Sequence, residues 1–385
     1  MSTPSTAVSG TPSPFALKRY FRRMPDPRRR HGRRHHLLDI VVIALCAVLS
    51  GAKDWQQIAT WAQHRHAWLR RFLELPSGIP SHDTFERVLD RLDPVAFQRC
   101  FLDWITAACG ALQVGHVAID GKTLRHSGSA TLGPLHVVSA WATTNQLLLG
   151  EVAVAEKSNE ITAITQLLRL LDVHGALVTI DAMGCQKAIA SQIVAQGGDY
   201  LLMVKDNQAT LHEEVRRLDE AALAQEYAGV RSFSTSEVHH GREELRACWV
   251  LTDLESVRER AKWPGLQSVV VVVRDRTVGS RNTCEKHYYI SSRRLSARRA
   301  LEAARGHWQV ENGLHWHLDV HFGEDANRVQ RRHGAENLGV LRRMALSLLK
   351  QHPAKKSIPC KQMAAATDTA FLEEILAVAA NSEKL

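Results

Sequence analysis

Three acidic side chains stand where acids can do chemistry. Asp120 closes the apolar run HVAID and Asp181 closes ALVTID, and carboxylates at the ends of neighbouring strands point into the crevice where open α/β sheets bind ligands. Two such groups repel each other unless a cation lies between them. Hard divalent ions prefer oxygen donors, and Mg²⁺ usually takes one or two protein carboxylates and fills its remaining positions with water and phosphate oxygens. A third acid, on a helix passing over the sheet, completes a two-metal site for in-line phosphoryl transfer. Glu311, in HWQVENGLHWHLDVHFGED, is the candidate, and Asp319, Glu324 and Asp325 compete for the place. The expected cofactor is therefore Mg²⁺ or Mn²⁺, as two ions, on Asp120, Asp181 and Glu311. Each acid also has an ordinary alternative. Asp120-Gly121 reads equally as a hairpin turn, Asp181 as a loop or helix-capping carboxylate, and Glu311 as a solvated helix residue.

His307 and His315 share the Glu311 face at four-residue spacing, with Trp308 three positions before it. With His317 and His321 they raise the question of zinc. Their spacing is not that of an HExxH site and no cysteines partner them, so contacts to phosphate or base, or plain helix surface, fit better.

The elements that must position these residues follow from periodicity. Residues 1–14 are mostly Ser, Thr, Pro and Gly and read as a disordered arm. From 15 to 112 apolar residues recur at helical spacing, in LLDIVVIALCAVLSG, DWQQIATWAQHRHAWLRRFLEL and AFQRCFLDWITAACGAL, which predicts an all-helical domain. From 113 to 205 the pattern changes to three apolar strands, HVAID, LHVVSAWAT and LLLGEVAVA, then a helix, NEITAITQLLRLLD, with Asn159 as N-cap, and then strand, helix, strand. That order predicts an α/β mixed sheet with helices on its faces. Residues 206–292 read as a β-rich insertion, 293–350 as the helical completion of the sheet domain, and 351–385 as a C-terminal tail.

Composition narrows the partners. The 385-residue chain has 49 Lys and Arg against 40 Asp and Glu, a net charge of +9, which suits an anionic partner such as nucleic acid. Its seven scattered cysteines form no CxxC pair, which argues against a disulfide framework and fits a reducing cytoplasm. The N-terminus lacks a signal-peptide core, and the apolar run from Leu37 to Leu49 is too short to span a bilayer, so no membrane partner is expected.

Taken together, AIDGKTLRHS, TIDAMGCQKAIA, YLLMVKDNQ, HGREELR and HWQVENGLHWHLDVHFGEDANRVQRRHGAENLGVLRR resemble the successive blocks of the DDE insertion-sequence transposases of the H-repeat-associated, ISAs-type group. The likeness runs from about Tyr20 to Lys350. It implies a ribonuclease-H-like catalytic domain with a β-strand insertion before its last catalytic helix, and it implies Asp120, Asp181 and Glu311 as the catalytic, metal-holding acids. Wider relatives carry Tyr-x2-Arg-x3-Glu-x6-Lys around the glutamate, whereas His307 and Leu318 occupy the Arg and Lys positions here.

Such an enzyme cuts double-stranded DNA at transposon ends and joins it to a target, with a homodimer expected in the DNA complex. Arg28, Arg29, Arg30, Arg33 and Arg34 in RRRHGRRHH are the expected phosphate contacts of the helical domain. Within that domain, Asp54 to Trp61 and Thr84 to Leu92 read as a helix-turn-helix-like pair with an overlong connection. Lys122, Arg125, Lys205, Arg328, Arg331 and Arg332 would ring the crevice with positive charge. Trp141, Trp308 and Trp316 are candidates to stack on an extruded base, as in related transposases, or core aromatics. Two rival readings are a nuclease of the same fold that cuts without joining, and a transposase-derived DNA-binding regulator without catalysis.

Overall fold

The computed structural model describes residues 19–109, 114–124, 134–154, 160–239, 241–327, 329 and 332–377. Two compact units account for them: one holds the described residues of Met1–Leu112 and Trp316–Leu385, the other those of Gln113–Leu124 and Ala130–His315. The N-terminal arm and the expected cap Asn159 lie outside the described residues.

The first unit is helical among its described residues. Helix α1 (Leu37–Leu49) is apolar on every side, and an all-round apolar helix is stable only when enclosed. It is buried along almost its whole length, and its single acid, Asp39, accepts a hydrogen bond from the Leu75 backbone N–H at 3.0 Å. Around it lie α2 (Trp55–His64), started by Asp54, whose carboxylate accepts from Gln57 N, then α3 (His66–Leu69), α4 (His82–Leu89) and α5 (Pro94–Cys109). The expected helix pair, α2 and α4, packs side by side, but residues 65–81 intervene in the chain.

Part of this unit comes from the other end of the sequence. Helices α10 (Trp316–Val320), α11 (Gly334–Gln351), α12 (Ile358–Thr367) and α13 (Thr369–Ala377) belong to it. Helix α11 carries two arginines into the interior. Arg343 is ion-paired with the equally enclosed Glu324 at 2.9 Å, and Arg342 donates to the Lys53 carbonyl at 3.0 Å. Asn337 donates to the carbonyls of Leu89 and Leu92, at 2.6 and 2.9 Å, at and just past the end of α4. The segment expected as a tail thus contains two packed helices, with Ile358, Ala365, Leu372 and Ile375 buried.

The second unit is built on one nine-stranded mixed sheet. Strands β1 (His116–Thr123), β2 (His136–Ala142) and β3 (Leu147–Val154) form an antiparallel meander. On its other side β1 pairs in parallel with β4 (Leu177–Ile180), and β4 with β5 (Asp199–Val204). β4 is buried at every position and apolar at all but Thr179, as suits a central parallel strand covered on both faces. Strands β6 (Arg231–His239), β7 (Arg242–Leu251), β8 (Ser268–Val278) and β9 (Arg281–Ser291) continue the sheet, β9 lying antiparallel to β5. The order across the sheet is β3-β2-β1-β4-β5-β9-β8-β7-β6.

The two-residue alternation of strands divides β1, β4 and β5 between two cores. Val117, Ile119, Val178, Ile180, Tyr200 and Leu202 join α6 (Glu160–Leu170), α7 (Lys187–Ala195) and α8 (Ala209–Ala224) in one. Leu177, Leu201 and Met203 face α9 (Ala297–Val310) in the other. Ser296 caps α9, and its Ala300, Ala303 and Ala304 present a shallow surface that lets the helix lie close to the sheet. Gly306 takes this furthest: a Cβ there would stand 2.7 Å from the His116 ring, so any side chain would push α9 away. Among the described residues no helix is long and apolar enough to cross a membrane.

Candidate active site

Asp120 and Asp181 directly follow Ile119 and Ile180, the last paired positions of the adjacent parallel strands β1 and β4. The His116 ring, bonded to Thr179 Oγ1 at 2.9 Å and to Thr143 Oγ1 at 2.8 Å, lies against Gly306 of α9. By alternation, Asp120 and Lys122 on β1, Asp181 after β4 and Lys205 after β5 therefore belong to the α9 side. The Asp-Gly pair is not a turn: β1 runs through it to Thr123, with Gly121 opposite Val138 and Lys122 opposite Val137 on β2. Asp181 does use its carboxylate locally, Oδ1 accepting from Met183 N at 3.1 Å and Gly184 N at 3.3 Å. Its second oxygen makes neither bond.

After α9 the helix widens into a π-helical turn, Glu311–His315, before α10. Single π turns inside α-helices are uncommon and concentrate at functional sites, because the extra residue turns side chains off the regular helical face. Here His307 and Glu311 part company. His307 is buried toward the Thr179 backbone, and burial pulls its pKa down to about 4, so it is a neutral core residue rather than a phosphate contact. Glu311 is exposed, and its charge is felt at Asp120. His315 Nδ1 lies 3.5 Å from Asp120 Oδ2.

The electrostatics single out Asp120. Burial first, then the charges of Asp181, Glu311 and Glu160, push its carboxyl up from 3.8 to about 7, against a hydrogen bond from the Gly121 backbone. Asp181 is raised by burial and by Glu160, with Lys205 acting in the opposite direction. Carboxylates that crowd and raise one another are the donor chemistry a hard divalent cation relieves. Among the described residues, however, no three His, Cys, Asp or Glu side chains converge closely enough to hold a metal ion as they stand. The all-oxygen character of the set fits such an ion; full convergence is not preformed.

Two groups escaped the reading of the sequence. Glu160 opens α6 and is buried with His136, the first residue of β2, their Oε2 and Nε2 being 3.0 Å apart. The signal was there: Glu160 shares one helical face with Ala163, Ile164, Leu167 and Leu168, so it is a charge on an apolar stripe. Of the competing acids, Glu324 is committed to its buried pair with Arg343. Asp319, on α10, and Asp325, in the turn after it, both lie in the helical unit.

Of the basic candidates, Arg28 is tied down: Nε and Nη2 grip the two oxygens of Asp26 at 3.0 and 2.9 Å. Arg33 donates to the Arg28 carbonyl at 3.0 and 2.8 Å, while Arg29, Arg30 and Arg34 are exposed. Lys122 is half-buried on β1, and Lys205 and Arg332 are exposed. Arg125, Arg328 and Arg331 lie outside the described residues. Trp141 is a core residue, 1% exposed, whereas Trp308 and Trp316 are 43% and 48% exposed.

Residues 18–105 match the family described as "DDE_Tnp_1-associated", and residues 114–348 match "Transposase DDE domain". "Putative transposase YncI" of Escherichia coli O157:H7 is 39% identical over 370 residues, covering 94% of each chain. "H repeat-associated putative transposase YhhI" of Escherichia coli K12 is 38% identical over 365 residues, 92% of this chain and 96% of that one. A solved piggyBac transposase synaptic complex with hairpin DNA aligns at 9% identity and a TM-score of 0.42, covering 96% of this chain and 78% of that one, too distant to bear on function. With the domain model spanning more than half its length and relatives matched nearly end to end, the chain belongs to the DDE transposase family.

Proposed function

We propose that this chain cleaves double-stranded DNA at insertion-sequence ends and joins the freed 3′ end to target DNA, a cut-and-paste reaction dependent on Mg²⁺ or Mn²⁺. The observation that carries this reading is the pair of aspartates just past the last parallel pair of β1 and β4, on the side covered by α9, with Glu311 at the π turn beyond that helix. The meander, the parallel β1-β4-β5 core and the crossing helix support a ribonuclease-H-like catalytic domain, with β6–β9 as its β-rich insertion and residues 15–112 as a DNA-binding domain.

Asp120, Asp181 and Glu311 would hold the ions, which on binding supply an activated water and neutralise charge on the scissile phosphate. His315, beside Asp120, orients that carboxylate. Lys122 and Lys205 reach from the same side of the sheet toward the DNA backbone, and Lys205 also steadies the charge of Asp181. Arg29, Arg30 and Arg34 serve as phosphate contacts of the helical domain, and two copies act together on paired ends in a prokaryotic cytoplasm.

The test is reconstitution with DNA carrying the inverted repeats that bracket the coding region. Cleavage and strand transfer with Mg²⁺, both lost in Asp120→Asn and Asp181→Asn while end binding persists, is the expected result. Cutting without joining of a pre-cleaved end would assign a nuclease, and end binding without any cleavage would assign a regulator.

A further inference from the structure

The faces of β1 at the Asp-Gly step are treated differently. Asp120 belongs to the α9 side, whereas Gly121 belongs to the α6 side, where two buried side chains press against its Cα. A Cβ on Gly121 would stand 2.6 Å from His136 Nε2 and 2.7 Å from Glu160 Oε1. A side chain of any size would expel the pair, so glycine is the residue that lets it approach.

The pair is itself held. His136 Nδ1 is 3.0 Å from Thr123 Oγ1, and Nε2 is 3.0 Å from Glu160 Oε2. A ring that donates from Nε2 to the carboxylate accepts from the Thr123 hydroxyl at Nδ1, which completes a chain from β1 through β2 to the start of α6. Buried polar chains of this kind are costly unless satisfied and rigid when they are. Nothing in the chemistry assigned to Asp120, Asp181 and Glu311 requires a carboxylate here. Its charge nevertheless reaches both aspartates, which it disturbs from behind the strand.

We infer that Glu160, clamped by His136 against Gly121, is a positioning residue that adds a fixed negative charge behind Asp120 and Asp181 and so strengthens their hold on divalent cations. It acts through the two aspartates and contacts no ion itself. The inference rests on the metal-dependent reading of the site given above.

The probe is Mn²⁺ alone, its free concentration followed by electron paramagnetic resonance with the full-length chain at pH 8. Glu160→Gln keeps the shape and removes the charge. It is expected to raise the Mn²⁺ concentration for half-saturation about tenfold, the scale of one unit charge in a partly buried site. Melting temperature should stay within about 2 °C of the parent and affinity for end DNA within about twofold, which a merely structural role would not allow. Thr123→Val, isosteric and favourable in a strand, frees the ring from its anchor and should raise half-saturation about threefold, so the idea stays testable if Glu160→Gln does not fold. Unchanged Mn²⁺ binding in the folded variants overturns the inference. Binding abolished in Glu160→Gln as fully as in Asp120→Asn makes Glu160 a ligand and also overturns it. Full Mn²⁺ binding by Asp120→Asn defeats the reading of the site, and this inference with it.

Discussion

Replacing Asp120 with Asn should make the metal-free protein more stable at pH 8 while ending its cleavage of DNA. The carboxyl is pushed from 3.8 to about 7 by burial and by the charges of Asp181, Glu311 and Glu160. A group whose pKa is raised on folding favours the folded state at low pH. That contribution is complete below its ordinary value and is lost as the pH climbs through about 7. The full rise corresponds to about 4 kcal/mol between the two protonation states. The side chain is 21% exposed and shares its titration with Asp181, so about half of that, ~2 kcal/mol, is the expected gain at pH 8. Asn mimics the protonated acid in shape and neutrality, and so relieves the repulsion without opening a cavity. Urea unfolding in excess EDTA at pH 8 and pH 4 measures it: a gain of ~2 kcal/mol at pH 8 should shrink to a few tenths at pH 4, where the folded carboxyl is protonated and the unfolded one is close to its ordinary value. A loss of stability at pH 8, or an equal gain at both pH values, would refute the reasoning.

Gly306→Ala should shift α9 off the His116 ring, costing about 1–3 kcal/mol in urea unfolding and lowering cleavage more than end binding, because the helix leads into Glu311. Arg343→Ala strands Glu324 in the helical unit and should cost about 3–5 kcal/mol, whereas Arg343→Met with Glu324→Gln should recover most of that in the same assay. Neutralising Arg29, Arg30 and Arg34 to Gln should reduce the slope of log binding constant against log salt by about 0.9 for each phosphate that is no longer neutralised, and Arg28→Gln should lower the melting temperature instead. Replacing Mg²⁺ by Ca²⁺ should leave end binding measurable in gel shifts while stopping cleavage.

The stretches before Asp120 and Asp181 were legible because residues 117–119 and Leu177–Ile180 lie buried in the middle of the sheet and so read as runs apolar at all but Thr179. Glu311, the proposed third acid, was harder to read for a local reason. Regular 3.6-residue spacing puts His307, Glu311 and His315 on one stripe, but the π turn from Glu311 to His315 breaks that stripe, leaving His307 in the core and Glu311 outside. Helices α10–α13 belong with the N-terminal helices, which periodicity cannot reveal, since it reports that a helix has a buried face and not what buries it. The Arg28–Asp26 and Glu160–His136 pairs escaped because a charge run and a helix start each have a sufficient solvent-facing explanation in sequence.

The antiparallel seam between β9 and β5 makes the last four strands structurally inseparable from the first five. Excising residues 206–292 would not trim an appendage. It would turn β5 from an interior strand into a raw edge and take Cys248, Val250, Val270, Val272 and Tyr289 out of the core that α9 shares with Leu201 and Met203. Raw apolar edges recruit other chains, so such a truncation should precipitate rather than survive as a smaller enzyme. A cut at the Gly279 hairpin tip is the opposite case. It severs the backbone where no ladder depends on continuity, and β8 and β9 stay zipped over eleven opposed pairs, so the nicked protein should elute and melt as one molecule.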